Sequence, residues 1–321
     1  MVAEWRLKMC CLFGILDIKQ SLNQKQLNKM VAVLSKACEA RGTDATGISY
    51  NYNDRMCIFK RPLPARRMHY RIPDGVHYVM GHTRMTTQGN EKYNYNNHPF
   101  PGKTINTDFA LAHNGVLYND EVLRYTEKLP KTHIETDIYV AVQLIEKKQT
   151  LDTDSLRYMA EQLEGSFTIT VMDNDNNLHF VKGDNPMCIY HFEDKGIYIY
   201  ASTDEILIKA LQRMPIKLGK GKKVEIKCGE ILTIDKYGTQ NRSEFNTENL
   251  DGFSYASYFW RTSVPRCETK PKVYSSYQEE YLDRLKTEAK YCGYSPSLID
   301  TLLADGFSTD DIEEMLYCGA Y

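Results

Sequence analysis

Five short segments carry side chains that ordinary core packing does not call for: Met9-Cys10-Cys11-Leu12-Phe13-Gly14-Ile15, Arg41-Gly42-Thr43-Asp44-Ala45-Thr46-Gly47, Gly81-His82-Thr83-Arg84, His113-Asn114-Gly115 and Glu135-Thr136-Asp137. Each is small, polar or glycine-containing beside a predicted strand or helix, where the backbone can approach a ligand closely. Together they offer a thiol nucleophile, an amide donor, two guanidinium groups and carboxylates. Taken singly, each has an ordinary reading. Met-Cys-Cys is most often an inert buried thiol pair and Arg84 a surface ion-pair partner. Asp137 fits a first-turn acid favoured by the helix dipole, and Asn114-Gly115 fits a hairpin turn.

Certain elements must hold these segments. Leu27, Met30, Val31, Leu34 and Cys38 recur at three- and four-residue steps, which predicts an amphipathic helix from Asn23 to Glu39, stopped by Arg41-Gly42. A second helix is expected from Glu135 to Lys147, with Ile138, Val142, Leu144 and Ile145 on one side and Thr132 as its cap. From Gly165 to Ile234 the pattern changes to alternation, as in Phe167-Thr168-Ile169-Thr170-Val171. Turn residues at Asn174-Asp175, Lys195-Gly196 and Tyr237-Gly238 separate these runs as antiparallel hairpins require. The body therefore reads as α+β, with helices covering sheet faces.

Composition removes several classes of function. Forty basic against 42 acidic residues leave a formal charge of −2, so no global field recruits nucleic acid or an anionic membrane. No apolar run reaches the ~18 residues of a membrane helix, and the start MVAEWRLK lacks a secretory core, so a cytoplasmic location is expected. The nine cysteines lack C-x-x-C spacing and read as reduced thiols. His82, His98 and His113 lack the i, i+4 spacing of a helical metal motif, and no metal or other cofactor is expected. The basic runs Arg61–Arg67 and Lys217–Lys223 have no phosphate-loop glycines and read as solvated loops.

In their order and intervals the five segments resemble the glutaminase domain of class II glutamine amidotransferases, in the N-terminal-nucleophile hydrolase superfamily. The resemblance runs from Cys10 to about Gln240. It includes Asn97-His98-Pro99, Glu164-Gly165-Ser166-Phe167, Gly183-Asp184-Asn185-Pro186-Met187 and Ala201-Ser202. It implies a four-layer αββα fold with a small C-terminal helical appendage. Cys10 is implied as the nucleophile at a mature N-terminus, because Met9 precedes it and Leu12-Phe13-Gly14-Ile15 follows. A terminal cysteine combines an α-amine of reference pKa ~7.7–8.0 with a thiol of ~8.5, so base and nucleophile belong to one residue. The family's oxyanion hole falls on Asn114 and the Gly115 N–H. Arg84 would hold the α-carboxylate of glutamine and Asp137 its α-ammonium, while Arg41 and Asp44 shape the pocket beside the nucleophile.

The resemblance implies hydrolysis of L-glutamine to glutamate and ammonia through a cysteinyl thioester. Two alternatives stand beside it: an amidohydrolase of the same superfamily acting on another γ-glutamyl or amide substrate, and a non-catalytic glutamine-binding scaffold. Three positions depart from the family pattern: the eight residues before Met9, Cys11 where glycine is usual, and Gln88 where histidine is frequent. Residues 1–9 are therefore expected to be a leader or a misassigned start. The expected divisions are 10–242 for the amidotransferase domain, 243–272 for an aromatic linker and 273–321 for a helical tail. The roughly 80 residues past Gln240 are too few for a synthase domain, so the acceptor of ammonia is expected on a separate protein.

Overall fold

The computed structural model describes residues 10–250 and, toward the C-terminus, 282, 285–286, 289–290, 294–304, 309, 312 and 316. Thirteen strands form two antiparallel sheets among these residues. The first sheet contains β1 (Cys11–Asp17), β2 (Ala45–Tyr52), β3 (Arg55–Arg61), β4 (Tyr78–Arg84), β9 (Cys188–Phe192), β10 (Ile197–Ala201) and β11 (Lys222–Val224). Its order is β11-β9-β10-β1-β4-β2-β3. The second contains β5 (Phe100–Lys103), β6 (Asp108–Leu117), β7 (Gly165–Asp173), β8 (Leu178–Lys182), β12 (Glu230–Ile234) and β13 (Gln240–Glu244), in the order β13-β12-β8-β7-β6-β5.

The layering follows from period-two alternation along the strands. In β1, Cys11, Phe13 and Ile15 join one apolar cluster, while Leu12 and Leu16 join another. The first cluster lies under helices α1 (Gln24–Cys38) and α5 (Asp204–Leu211). The second fills the space between the sheets, where Leu12, Met80, Ala110, Ala112, Phe180 and Tyr200 meet. A third cluster packs α3 (Tyr139–Lys148) and α4 (Thr153–Gln162) on the other sheet's outer face. The architecture is therefore the expected αββα sandwich. A short helix, α2 (Asp120–Thr126), follows β6.

Helix α1 forms where periodicity placed it and buries the same five residues. Asn23 Oδ1 accepts from Gln26 N at 2.9 Å and Gln26 Oε1 from Asn23 N at 3.0 Å, which closes a capping box. Burial of Leu27, Met30, Val31 and Leu34 contributes about 1.5–3 kcal/mol each before conformational entropy is subtracted.

One local expectation is corrected. The second helix begins at Tyr139, and Thr132 Oγ1 accepts from Ile134 N at 3.1 Å instead of capping it. The preceding turn is drawn out by tertiary bonds. Glu135 N donates to Asn96 Oδ1 at 2.9 Å, and Asp137 Oδ2 accepts from Leu117 N at 2.7 Å. Asn114-Gly115, whose ordinary reading taken singly is a hairpin turn, forms none. Both residues lie inside β6 and pair with Thr168 and Phe167 of β7.

Past β13 the body continues through Phe245, which joins the third cluster. The aromatic stretch Phe253 to Trp260 and the segment Pro265 to Pro271 lie outside the described residues. Of the expected helical tail, α6 (Ser297–Ala304) is described. Leu285, Ala289, Ile299, Leu302, Ile312 and Leu316 form a small cluster, and Tyr95 of the body packs against it. Among the described residues no helix is long and apolar enough to cross a membrane.

Gly47 in β2 sits where a Cβ would lie 2.1 Å from the His98 carbonyl oxygen. Backbone has little room to yield, so Gly47→Ala should lower stability by about 1–3 kcal/mol or more. Urea unfolding monitored by fluorescence measures this, and an unchanged midpoint would contradict the close approach.

Candidate active site

Strand parity brings the candidate residues to one end of the space between the sheets. In β4, Tyr78 and Met80 face between the sheets, and the even positions His82 and Arg84 continue that face. In β6, Ala110 and Ala112 do so, and Asn114 continues it. Cys10 immediately precedes β1 on the same parity as Leu12. Cys11 has the opposite parity. It is fully buried beneath α1 in the same apolar cluster as Cys38, and its thiol donates to the Leu12 carbonyl at 3.5 Å. Cys11 therefore faces the helix layer.

Cys10 is bound into this corner by its neighbours. Its Sγ lies 3.5 Å from Met85 O and accepts from Met85 N at 3.4 Å. Arg41 Nε donates to the Cys10 carbonyl at 3.0 Å, and Arg41 Nη2 donates to Asn114 Oδ1 at 3.5 Å. One guanidinium thus spans the thiol residue and the amide residue. With Met9 attached, burial pushes the Cys10 thiol up to about 11. Nearby Asp137 adds to the rise, while the Met85 N–H, Arg84 and Arg41 oppose it. Roughly 10⁻⁴ of the thiol would ionise at pH 7, so a nearby base is required for the sulfur to act as a nucleophile.

Arg84 is 2 % exposed, and both of its hydrogen bonds go to neutral oxygens. Nη1 donates to Asn97 Oδ1 at 2.7 Å and Nη2 to the Gln88 carbonyl at 2.5 Å. Burial pulls its pKa down, against the fields of Cys10, Asp137, Glu91 and Asp44. Asp44 laces the adjoining loop: its Oδ2 accepts from Thr86 N at 2.8 Å and its own N–H donates to Arg84 O at 3.0 Å. Gln88 Nε2 reaches Asp120 Oδ2 at 3.3 Å, which ties that loop to the start of α2.

Asn114 is fully buried, and its Nδ2 has no acceptor among the described residues. Its carbonyl accepts from Asn185 Nδ2 at 3.0 Å. Gly115 has φ +154°, and a Cβ there would lie 1.9 Å from Ser166 O, so only glycine fits. An open groove of about 560 Å³ lined by Lys222, Lys223, Glu225, Glu230 and Arg242, among others, lies apart from all these residues.

His82, His98 and His113 gather behind the site. His82 Nε2 donates to the His113 carbonyl at 2.9 Å, which fixes its tautomer, and the His82 and His98 rings lie 4.1 Å apart. Among the described residues no cluster of His, Cys, Asp and Glu is placed to hold a metal ion. Burial holds His82 and His113 down at about 3 and His98 well below its usual value.

Residues 82–209 match a family described as a glutamine amidotransferase domain. The chain is 28% identical over 260 residues to the amidophosphoribosyltransferase of Methanocaldococcus jannaschii, covering 76% of this chain and 52% of that protein. The chain is thus similar to glutamine amidotransferases, with residues 82–209 matching that domain. It is also 28% identical over 222 residues to the glutamine–fructose-6-phosphate aminotransferase of Sulfolobus acidocaldarius, covering 66% and 36% of the two chains. The solved glutamine phosphoribosylpyrophosphate amidotransferase from B. subtilis superposes with a TM-score of 0.58 at 18% identity, covering 75% of this chain and 50% of that one, and shares the fold. The chain thus spans about half, or less, of the length of these curated relatives. The matched family region contains Arg84, Asn114, Gly115 and Asp137, while Cys10 and Arg41 precede it.

Sequence reasoning quoted Asn97, Asn185 and Ser202 without giving them tasks. Asn97 holds Arg84, Asn185 holds the Asn114 carbonyl, and Ser202 Oγ accepts from Leu12 N at 2.9 Å. Their presence in polar motifs was the available signal. Their partners lie on other strands and leave no trace in local spacing.

The three buried histidines give the fold a testable pH dependence. Their folded pKa values lie below the ordinary 6.5, so the unfolded chain binds more protons between about pH 3 and 6.5. The stability they confer is fully present above pH 6.5 and is lost as pH falls. Moving from pH 7.5 to 5.5 should cost roughly 1 kcal/mol per histidine. Urea midpoints at the two pH values measure this, and equal midpoints would refute neutral burial.

Proposed function

We propose that the protein hydrolyses L-glutamine to glutamate and ammonia, with Cys10 as nucleophile once its α-amine is free. The observation that supports this most directly is the Asn114 amide. It is a buried donor without an acceptor among the described residues, and its oxygen is tied through Arg41 to the Cys10 carbonyl. An orphaned buried donor costs about 1–3 kcal/mol, and a developing oxyanion would repay that cost.

In this reading the α-amine of Cys10 takes the thiol proton and the sulfur attacks the side-chain carbonyl carbon of glutamine. The carbonyl oxygen becomes negative between Asn114 Nδ2 and the Gly115 N–H. The carbon–nitrogen bond then breaks, the ammonium proton passes to the departing amide nitrogen, and ammonia leaves a γ-glutamyl thioester. Water, deprotonated by the same amine, cleaves the thioester to glutamate and restores the thiol. Arg84, buried on neutral partners, supplies charge for the substrate carboxylate, and Asp137 receives the substrate ammonium. Arg41 orients Cys10 and Asn114 relative to each other.

The ammonia is used in the cytoplasm by an acceptor on a separate polypeptide. The relatives named for amino transfer to phosphoribosyl or fructose-6-phosphate groups are longer than the matched span. Co-purification of a synthase from native material tests this, and a longer natural form of the chain carrying its own synthase domain would replace it.

Cys10→Ala should eliminate glutaminase activity, whereas Cys11→Ala, which alters only the packing against Cys38, should retain most of it. The reverse result would overturn the assignment. N-terminal mass spectrometry of native protein should find Cys10 first. Full activity with residues 1–9 intact would exclude the α-amine as base. A glutamine-mimicking diazoketone should label Cys10 in the trimmed protein, and absence of that adduct would favour a non-catalytic scaffold.

A further inference from the structure

The segment Gly183-Asp184-Asn185-Pro186-Met187 follows β8, outside the five segments that carry the proposed chemistry. Its contacts reach one peptide plane of that site. Gly115 and Phe167 are register partners in the β6–β7 ladder. The Phe167 N–H donates to Asp184 Oδ1 at 2.9 Å, and its carbonyl accepts from Asn185 N at 3.4 Å. A residue in an antiparallel ladder turns both polar groups toward the same neighbour. Phe167 therefore faces away from β6, and Gly115–Phe167 is a non-hydrogen-bonded pair. The Gly115 N–H accordingly points away from β7, past the last β5–β6 register pair in this direction, Phe100–Leu111.

The same peptide plane has its carbonyl on the β7 side. That oxygen belongs to Asn114 and accepts from Asn185 Nδ2 at 3.0 Å. Peptide planes are rigid and trans, so a group that holds the oxygen also sets the direction of the N–H. We propose that Asn185 is a positioning residue that aims the Gly115 N–H at the reacting carbonyl oxygen, through the Asn114–Gly115 peptide. Because it rests on the glutaminase reading, it deepens that site rather than adding another.

Asn185 is suited to hold a direction. It is 7 % exposed, its carbonyl accepts from Thr168 Oγ1 at 2.7 Å, and its Nδ2 also donates to Ser166 Oγ at 2.9 Å. A main-chain carbonyl only accepts, so the amide nitrogen must face Asn114. A donor on the carbonyl also polarises the peptide, and such chains strengthen each bond by about 10–30%. His82 Nε2 holds the preceding carbonyl, that of His113, from the other sheet. The two peptides flanking Asn114 are thus fixed from opposite sides.

The test uses the full chain in the form shown to hydrolyse glutamine, with Asn185→Asp and Asn185→Ala. In either, kcat should fall about 10- to 100-fold, less than the ~10²- to 10³-fold typical for removal of an entire oxyanion donor. KM for glutamine should change less than twofold, because Arg84 and Asp137 keep their contacts. Affinity for the γ-aldehyde of glutamate, which forms a tetrahedral adduct with Cys10, should fall by the same factor as kcat. Affinity for glutamate should not change. Thermal melts confirm that each variant is folded.

Folded variants with kcat within twofold of the parent would overturn the proposal. So would parallel losses in kcat and glutamate affinity, or failure of both variants to fold, since those results describe a packing residue. A parent without glutaminase activity would instead overturn the underlying reading and this proposal with it. An active parent with indifferent variants overturns this proposal alone.

Discussion

A guanidinium held at 2 % exposure on two neutral oxygens is costly to maintain, and the arrangement around Arg84 makes sense as a response to that cost. Asn97 and the Gln88 carbonyl satisfy its donors without cancelling its charge. Asp44 stitches the following loop through Thr86, so the partners of Arg84 cannot drift. Asp137 and the Cys10 sulfur lie close enough to be felt in its field. A positive charge kept without a partner carboxylate remains available to an incoming anion. A paired one would first have to give up its ion pair.

The second arginine has a different task. Arg41 does not wait for a ligand: it joins the Cys10 carbonyl to the Asn114 amide, and thereby joins the first sheet's β1 to the second sheet's β6. His82 makes a parallel connection from β4 to β6. Cys10, Asn114 and Arg84 are thus fixed relative to one another by bonds that cross the gap between the layers. Packing alone sets sheet separation to about 10 Å and leaves sliding to side-chain fit. Buried hydrogen bonds at one end remove that freedom where alignment matters.

Much of the fold was legible because it depends on local periodicity. Helix α1 appeared over its predicted span, with the predicted buried stripe, because three- and four-residue spacing needs no knowledge of partners. Antiparallel strands from Gly165 to Ile234 were legible for the same reason. The helix expected from Glu135 was read too early. Asn96 and Leu117, distant in sequence, compete for the backbone and carboxylate of Glu135 and Asp137. Asn114-Gly115 reads locally as a turn, yet ten residues of strand continue through it, since pairing with β7 outweighs the local preference.

The sequence by itself determined the inventory: a cysteine after Met9, two arginines, an amide beside a glycine, an acid, and the spacing of the elements that bear them. Residue types, intervals and hydrophobic periods are written along one chain, so they can be read from it. Tertiary structure alone decided that Cys11 turns toward α1, that Arg84 rests on neutral partners, and which way the Asn114–Gly115 peptide faces. Those outcomes depend on register between two sheets and on bonds across the gap between them, and no local pattern encodes which strand will become a neighbour.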